Sequence, residues 1–85
     1  MNQILNAGFS FEIVKPVGEI SNKGDVTKEF NVVAFSGHKP KYDIRSWLRT
    51  PEGRRAGKGI TLNAEEFDVL RELIEQIPAE GLLDE

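Results

Sequence analysis

Between His38 and Lys58 the 85-residue chain carries seven basic residues, Lys39, Lys41, Arg45, Arg49, Arg54, Arg55 and Lys58, against two acids, Asp43 and Glu52. The whole chain has a formal net charge of −3, so the rest of it, with four basic and twelve acidic residues, is strongly acidic. One basic segment on an acidic body is the electrostatic footprint of a nucleic-acid binder, although net charge itself speaks only to solubility and steering. Trp47 stands among these cations, with Arg45 and Arg49 two positions to either side. On an extended chain all three project the same way. Aromatic rings between cations suit unpaired nucleic acid, because bases stack on the rings for ~1–3 kcal/mol each while the cations follow phosphates. Duplex DNA has its bases already stacked and is read in its grooves. Nothing identifies a reader of the 2′-hydroxyl, so the residues alone leave DNA and RNA open. A tryptophan in this position would also serve to pack a subunit interface or a covering loop.

Other chemistries fit poorly. "GRRAGKGIT" resembles a phosphate-binding loop, but the spacing from Gly53 to Gly57 is one residue short. Gly59 also follows the lysine where Ser or Thr is needed, and a strand follows where a helix is required. The single histidine, His38, has no carboxylate close in sequence, and there is no cysteine. No nucleophile–base pair and no transition-metal ligand set can be named, so the expectation is a non-enzyme without cofactor or metal. The absence of cysteine fits a reducing cytoplasm. The N-terminus lacks a basic region followed by an apolar run, and nothing approaches the roughly 18 apolar residues of a membrane span. A cytoplasmic, nucleoid-associated protein without membrane contact is expected.

The elements that position these residues follow from periodicity. A hydrophobic content of 39% with 29% charged residues describes one small folded domain. Residues 1–8 read as a loose lead-in, 9–78 as the domain and 79–85 as a tail. "FSFEIVKPV" alternates, with Phe9, Phe11, Ile13 and Val17 on one face, and Pro16 marks a strand end at a sheet edge. After the turn "NKGD", "VTKEFNVVAFS" reads as a second strand and "KYDIRSWLR" as a third. "TPEGRRAG" reads as a loop and "KGITL" as a short fourth strand. Asn63 and Glu66 then form a helix-starting capping box. Phe67, Leu70, Leu73, Ile74 and Ile77 make one apolar stripe that packs on the sheet, and Pro78 ends the helix. The fold class is α+β, a four-stranded antiparallel sheet followed by one C-terminal helix (β-β-β-β-α).

One helix covers one face of such a sheet and leaves the other open. Pairing Phe35 with Tyr42, Val33 with Ile44 and Asn31 with Ser46 puts those residues under the helix. The open face then receives Lys28, Phe30, Arg45, Trp47 and Arg49, with Lys39 and Lys41 at its border. Val69 lies beside the apolar stripe, and Leu82 and Leu83 have no place in so small a core, which points to a second subunit.

"DIR" at 43–45, "PEG" at 51–53 and "KGITL" at 58–62, running into "NAEEFDVLRELI", resemble the positive cofactor four family of transcriptional coactivators, closest to its bacterial YdbC-like branch. The similarity is strong over residues 26–77 and weaker over 9–25. It implies a homodimer of strongly bent four-stranded sheets joined through the helices; the apolar flank of the helix and the tail then put Val69, Leu73, Ile77 and Leu82 at the expected interface. It implies single-stranded DNA held across the open sheet with little sequence preference. By motif, Arg45, Trp47, Arg54, Arg55 and Lys58 are its binding positions. The serine-rich acidic tail of the eukaryotic coactivators has no counterpart here, and the "RRAG" loop is shorter than theirs. The expected function is sequence-tolerant single-stranded DNA binding in transcription regulation or in DNA replication and repair, where polymerase or repair partners are conceivable. RNA binding, or a protein-interaction module using the open face, is the alternative. Against the latter, interface cores are depleted in lysine.

Overall fold

The computed structural model describes residues 2–4 and 10–84. Strands β1 (Asn2–Ile4), β2 (Ser10–Lys23), β3 (Val26–Phe35), β4 (Lys41–Thr50) and β5 (Gly53–Leu62) form one antiparallel sheet in chain order, and helix α1 (Ala64–Glu75) follows. The last four strands and the helix reproduce the expected order. Asn2–Ile4, expected within the loose lead-in, instead pairs with β2 as a fifth strand. Residue 1, residues 5–8 and Phe9 lie outside the described residues.

Gly24, at φ +66°, makes the tight β2–β3 turn at a backbone angle that few other residues adopt without strain. Strand β2 is longer than expected, passing through Pro16 to Lys23. It is accommodated by three register shifts against β3, which leave Val14, Val17 and Ile20 without partners. Each bulge bends the strand and adds twist. Pro16 is tolerated because, among the described residues, no strand pairs with β2 on its outer side beyond Glu12. The sheet curls until β1 approaches β5 at the opposite edge.

That curl decides where the core sits. The buried cluster is Phe11, Val33 and Trp47, with Ile13, Phe35 and Ala56 packed against it, on the inner face of the curl. The expectation of a helix-covered core and a bare opposite face is therefore corrected: the sheet folds over its own inner face. The helix docks on the other face through Phe67, which stacks on Tyr42 at 4.3 Å between ring centroids and lies 5.4 Å from Phe30. Its capping box forms as expected. The Glu66 N–H donates to Asn63 Oδ1 at 2.7 Å, and the Asn63 N–H donates to Glu66 Oε1 at 2.9 Å. Only Phe67 and Leu70 of the apolar stripe are half-buried, whereas Leu73, Ile74 and Ile77 are exposed. The stripe is real, but most of it has no partner in the chain. Among the described residues no helix is long and apolar enough to cross a membrane.

The β3–β4 register differs from expectation by three residues. Val32 stands opposite Tyr42, Phe30 opposite Ile44 and Asn31 opposite Asp43. An odd slip inverts a strand's faces. Strand β4 keeps its expected orientation, while β3 is reversed: Phe30 joins the rings under the helix, and Asn31 and Val33 are buried in the inner face. The reason lies in "FNVVAF", which is apolar on both faces, so period two alone does not choose between them.

Candidate nucleic-acid interface

Two arginines dominate the inner face. Asp43 is fully buried, and the Arg45 Nε–H donates to both of its carboxylate oxygens at 2.8 Å, while Nη2 pairs with Oδ2 at 2.7 Å. Nη1 also donates to the Gly57 carbonyl at 3.1 Å, tying β4 to β5. The guanidinium lies 4.8 Å above the Phe35 ring. A carboxylate buried this deeply is tolerated because charge-assisted hydrogen bonds replace its water. Gly59 makes this possible, since a Cβ there would overlap the Arg45 Cβ.

Arg54 repeats the arrangement. Its guanidinium stands 4.7 Å from the Trp47 ring centroid, and Nη2 is 2.7 Å from Glu29 Oε1. Glu29 also accepts from Thr27 Oγ1 at 2.6 Å and from Asn31 Nδ2 at 3.1 Å. Burial pushes the Glu29 carboxyl up, but the hydrogen bonds from Thr27, Arg54 and Asn31, with the Arg54 charge, outweigh it and hold the group below the usual carboxylate range. A cavity of about 120 Å³ opens beside this cluster, bordered also by Glu19, Asp25 and Arg49.

Trp47 was expected as an exposed ring beside Phe30. It is 1% exposed, meets Phe11 edge-on at 4.7 Å and lies beneath Arg54. Its indole N–H is buried without a hydrogen-bond partner among the described residues. That condition costs about 1–3 kcal/mol. Trp47 is on the expected face, but the curl and Arg54 close over it. Phe30 is corrected outright, being on the other side of the sheet against Phe67.

The cations do not share one face. Arg45 and Arg54 lie inside and are paired, and Arg49 borders the same inner cavity. Lys28 and Lys58 border a depression of about 400 Å³ on the helix side, with Ile44, Ser46 and Ile60. Arg55, opposite Leu48, falls on that side by alternation and is exposed. Lys39 and Lys41 border a third depression, of about 370 Å³, near the start of α1. Arg54 and Arg55 belong to β5, not to a loop as expected, because the turn closes tightly with Thr50 opposite Gly53. Sequence reasoning missed Thr27, Glu29 and Asn31 as a unit. Their spacing at alternate positions of one strand was the available signal, as it puts three polar groups on one side. Val69, Leu73, Ile77 and Leu82, expected at a subunit interface, are all exposed in the single chain.

Fold and site together define a small α+β domain in which one curled antiparallel sheet presents arginines seated on aromatic rings. Residues 22–73, more than half of the chain, match the family described as Transcriptional Coactivator p15 (PC4), and the chain belongs to that family. It is also 33% identical, over 72 residues, to an uncharacterized protein of Treponema pallidum (strain Nichols), a similarity that covers 84% of this chain and 82% of that protein.

Proposed function

We propose that the protein binds single-stranded DNA with little sequence preference, as a homodimer, in transcription regulation or in DNA replication and repair in a bacterial cytoplasm. Membership of the coactivator family supports this reading. The observation that carries it is the pair of arginines laid on aromatic rings, Arg45 on Phe35 and Arg54 on Trp47, each held by a carboxylate. Guanidinium planes, like rings, accept stacked bases of any identity. Because Asp43 and the Gly57 carbonyl already hold the Arg45 side chain, little of its entropy remains to be lost when a base arrives. Exposed Arg49, which borders the same inner cavity, is then available for a phosphate, whereas Lys28, Arg55 and Lys58 lie on the helix side. The second subunit covers the helix: Val69, Leu73, Ile74 and Ile77 form an exposed apolar stripe, continued by Leu82 and Leu83.

The test is an anisotropy titration with labelled oligothymidine, a duplex and an RNA of equal length, each at several salt concentrations. Single-stranded DNA should bind most tightly, with log K falling against log salt by roughly 0.7 per phosphate contacted. Replacing Arg49 by alanine should flatten that slope by roughly 0.7, one phosphate contact. Tighter binding of the duplex, or an unchanged slope in this variant, would remove the support for this path of the strand. Tighter binding of RNA would change the ligand but not the surface.

A further inference from the structure

The Trp47 ring is buried, the Arg54 guanidinium lies over it, and a small cavity opens beside the two. Arg54 is the second residue of β5, directly after the turn, and about a third of its side chain is exposed (32%). Its guanidinium is held over the ring by Glu29, and Glu29 is in turn fixed by Thr27 and Asn31. Beneath it the indole N–H has no acceptor among the described residues, so the closed arrangement leaves one buried donor unsatisfied. Arg49, opposite Arg54 in the β4–β5 ladder, is exposed and has no ion pair among the described residues.

We propose that Arg54 is a displaceable cap and Trp47 a latent stacking platform, uncovered when a single strand binds. The inference rests on the single-stranded DNA reading above. A phosphate drawn to Arg49 competes with Glu29 for the Arg54 guanidinium and pulls it outward. The vacated ring face takes one base, stacked parallel to the indole, and the opening lets water or a phosphate oxygen reach the in-plane N–H. Glu29 is therefore a positioning residue that sets how often the platform is closed. Any closed population weakens apparent affinity in proportion to the fraction of open molecules.

Trp47 is the only tryptophan, so its fluorescence and its single indole N–H resonance report on the cap without any substitution. In the free wild-type protein acrylamide should barely quench it. Adding oligothymidine should quench the emission by stacking and shift the indole N–H resonance from its position in the free protein. Glu29→Gln should raise acrylamide quenching of the free protein severalfold and tighten oligothymidine binding. Glu19→Gln removes the same charge from the same cavity but leaves the Glu29–Arg54 ion pair intact, and should leave the quenching unchanged. Oligothymidine that fails to bind overturns the functional reading itself. Oligothymidine that binds by anisotropy while Trp47 emission and the indole resonance stay as in the free protein overturns the cap alone. A free protein already quenched freely by acrylamide overturns it as well.

Discussion

Replacing Trp47 by alanine separates a core residue from a surface platform. In the structure the ring is almost wholly buried, packed against Phe11 and Ala56 and covered by Arg54. Truncating a buried Trp or Phe to alanine costs about 3–5 kcal/mol, because contacts are lost and a cavity is left. Removing the indole N–H also removes an unsatisfied donor, which returns about 1–3 kcal/mol and leaves an expected net loss of about 2 kcal/mol. In a domain of this size each kcal/mol moves the melting temperature by about 4–8 °C, so the shift is on the order of 8–16 °C. Trp47→Phe keeps a ring against Phe11 and drops the N–H, and should cost under about 1.5 kcal/mol. The assay is urea and thermal unfolding followed by far-UV circular dichroism, with all variants at one protein concentration because dimerisation adds to apparent stability. A Trp47→Ala protein that unfolds within about 1 kcal/mol of wild type while losing oligothymidine affinity would refute the burial, and with it the inner-face core.

Gly59→Ala should destabilise the fold strongly, because its Cβ would come 2.5 Å from the Ile44 carbonyl oxygen and 2.7 Å from the Arg45 Cα, backbone atoms that cannot swing aside. Gly57→Ala meets the Ser46 carbonyl oxygen at 3.1 Å and should cost far less, so thermal unfolding of the two variants should rank them in that order. Val69→Glu should turn a dimer into monomers in sedimentation equilibrium, and a wild type that sediments only as a 9.5 kDa species at micromolar concentrations would contradict the homodimer. Glu29 titrates lower in the folded chain than in the unfolded one, so its stabilisation is complete above the ordinary carboxylate range and is lost as pH falls through the folded value. Glu29→Gln should flatten that acid limb of a stability–pH curve, and an unchanged limb would remove Glu29 as a contributor.

Local signals were legible in the amino-acid sequence. The Asn63–Glu66 capping box, the amphipathic helix, the order of the last four strands and the faces of β4 all depend on residues within a few positions of one another. The gathering of cations between Lys39 and Lys58 was equally plain. Only the tertiary structure decided which of those cations share a face, which are neutralised and which ring is hidden. Period two says which residues of one strand project together, but not whether that side becomes the inside of a curl. In β3, apolar on both sides, it does not set the register either. The curl accompanies bulges in β2 at Val14, Val17 and Ile20, which a sequence read as simple alternation does not reveal. Arg54 meets Glu29 only because β3 and β5 flank β4 in a folded sheet, and Trp47 is enclosed for the same reason: contacts between distant segments, not local pattern, determine what solvent can reach.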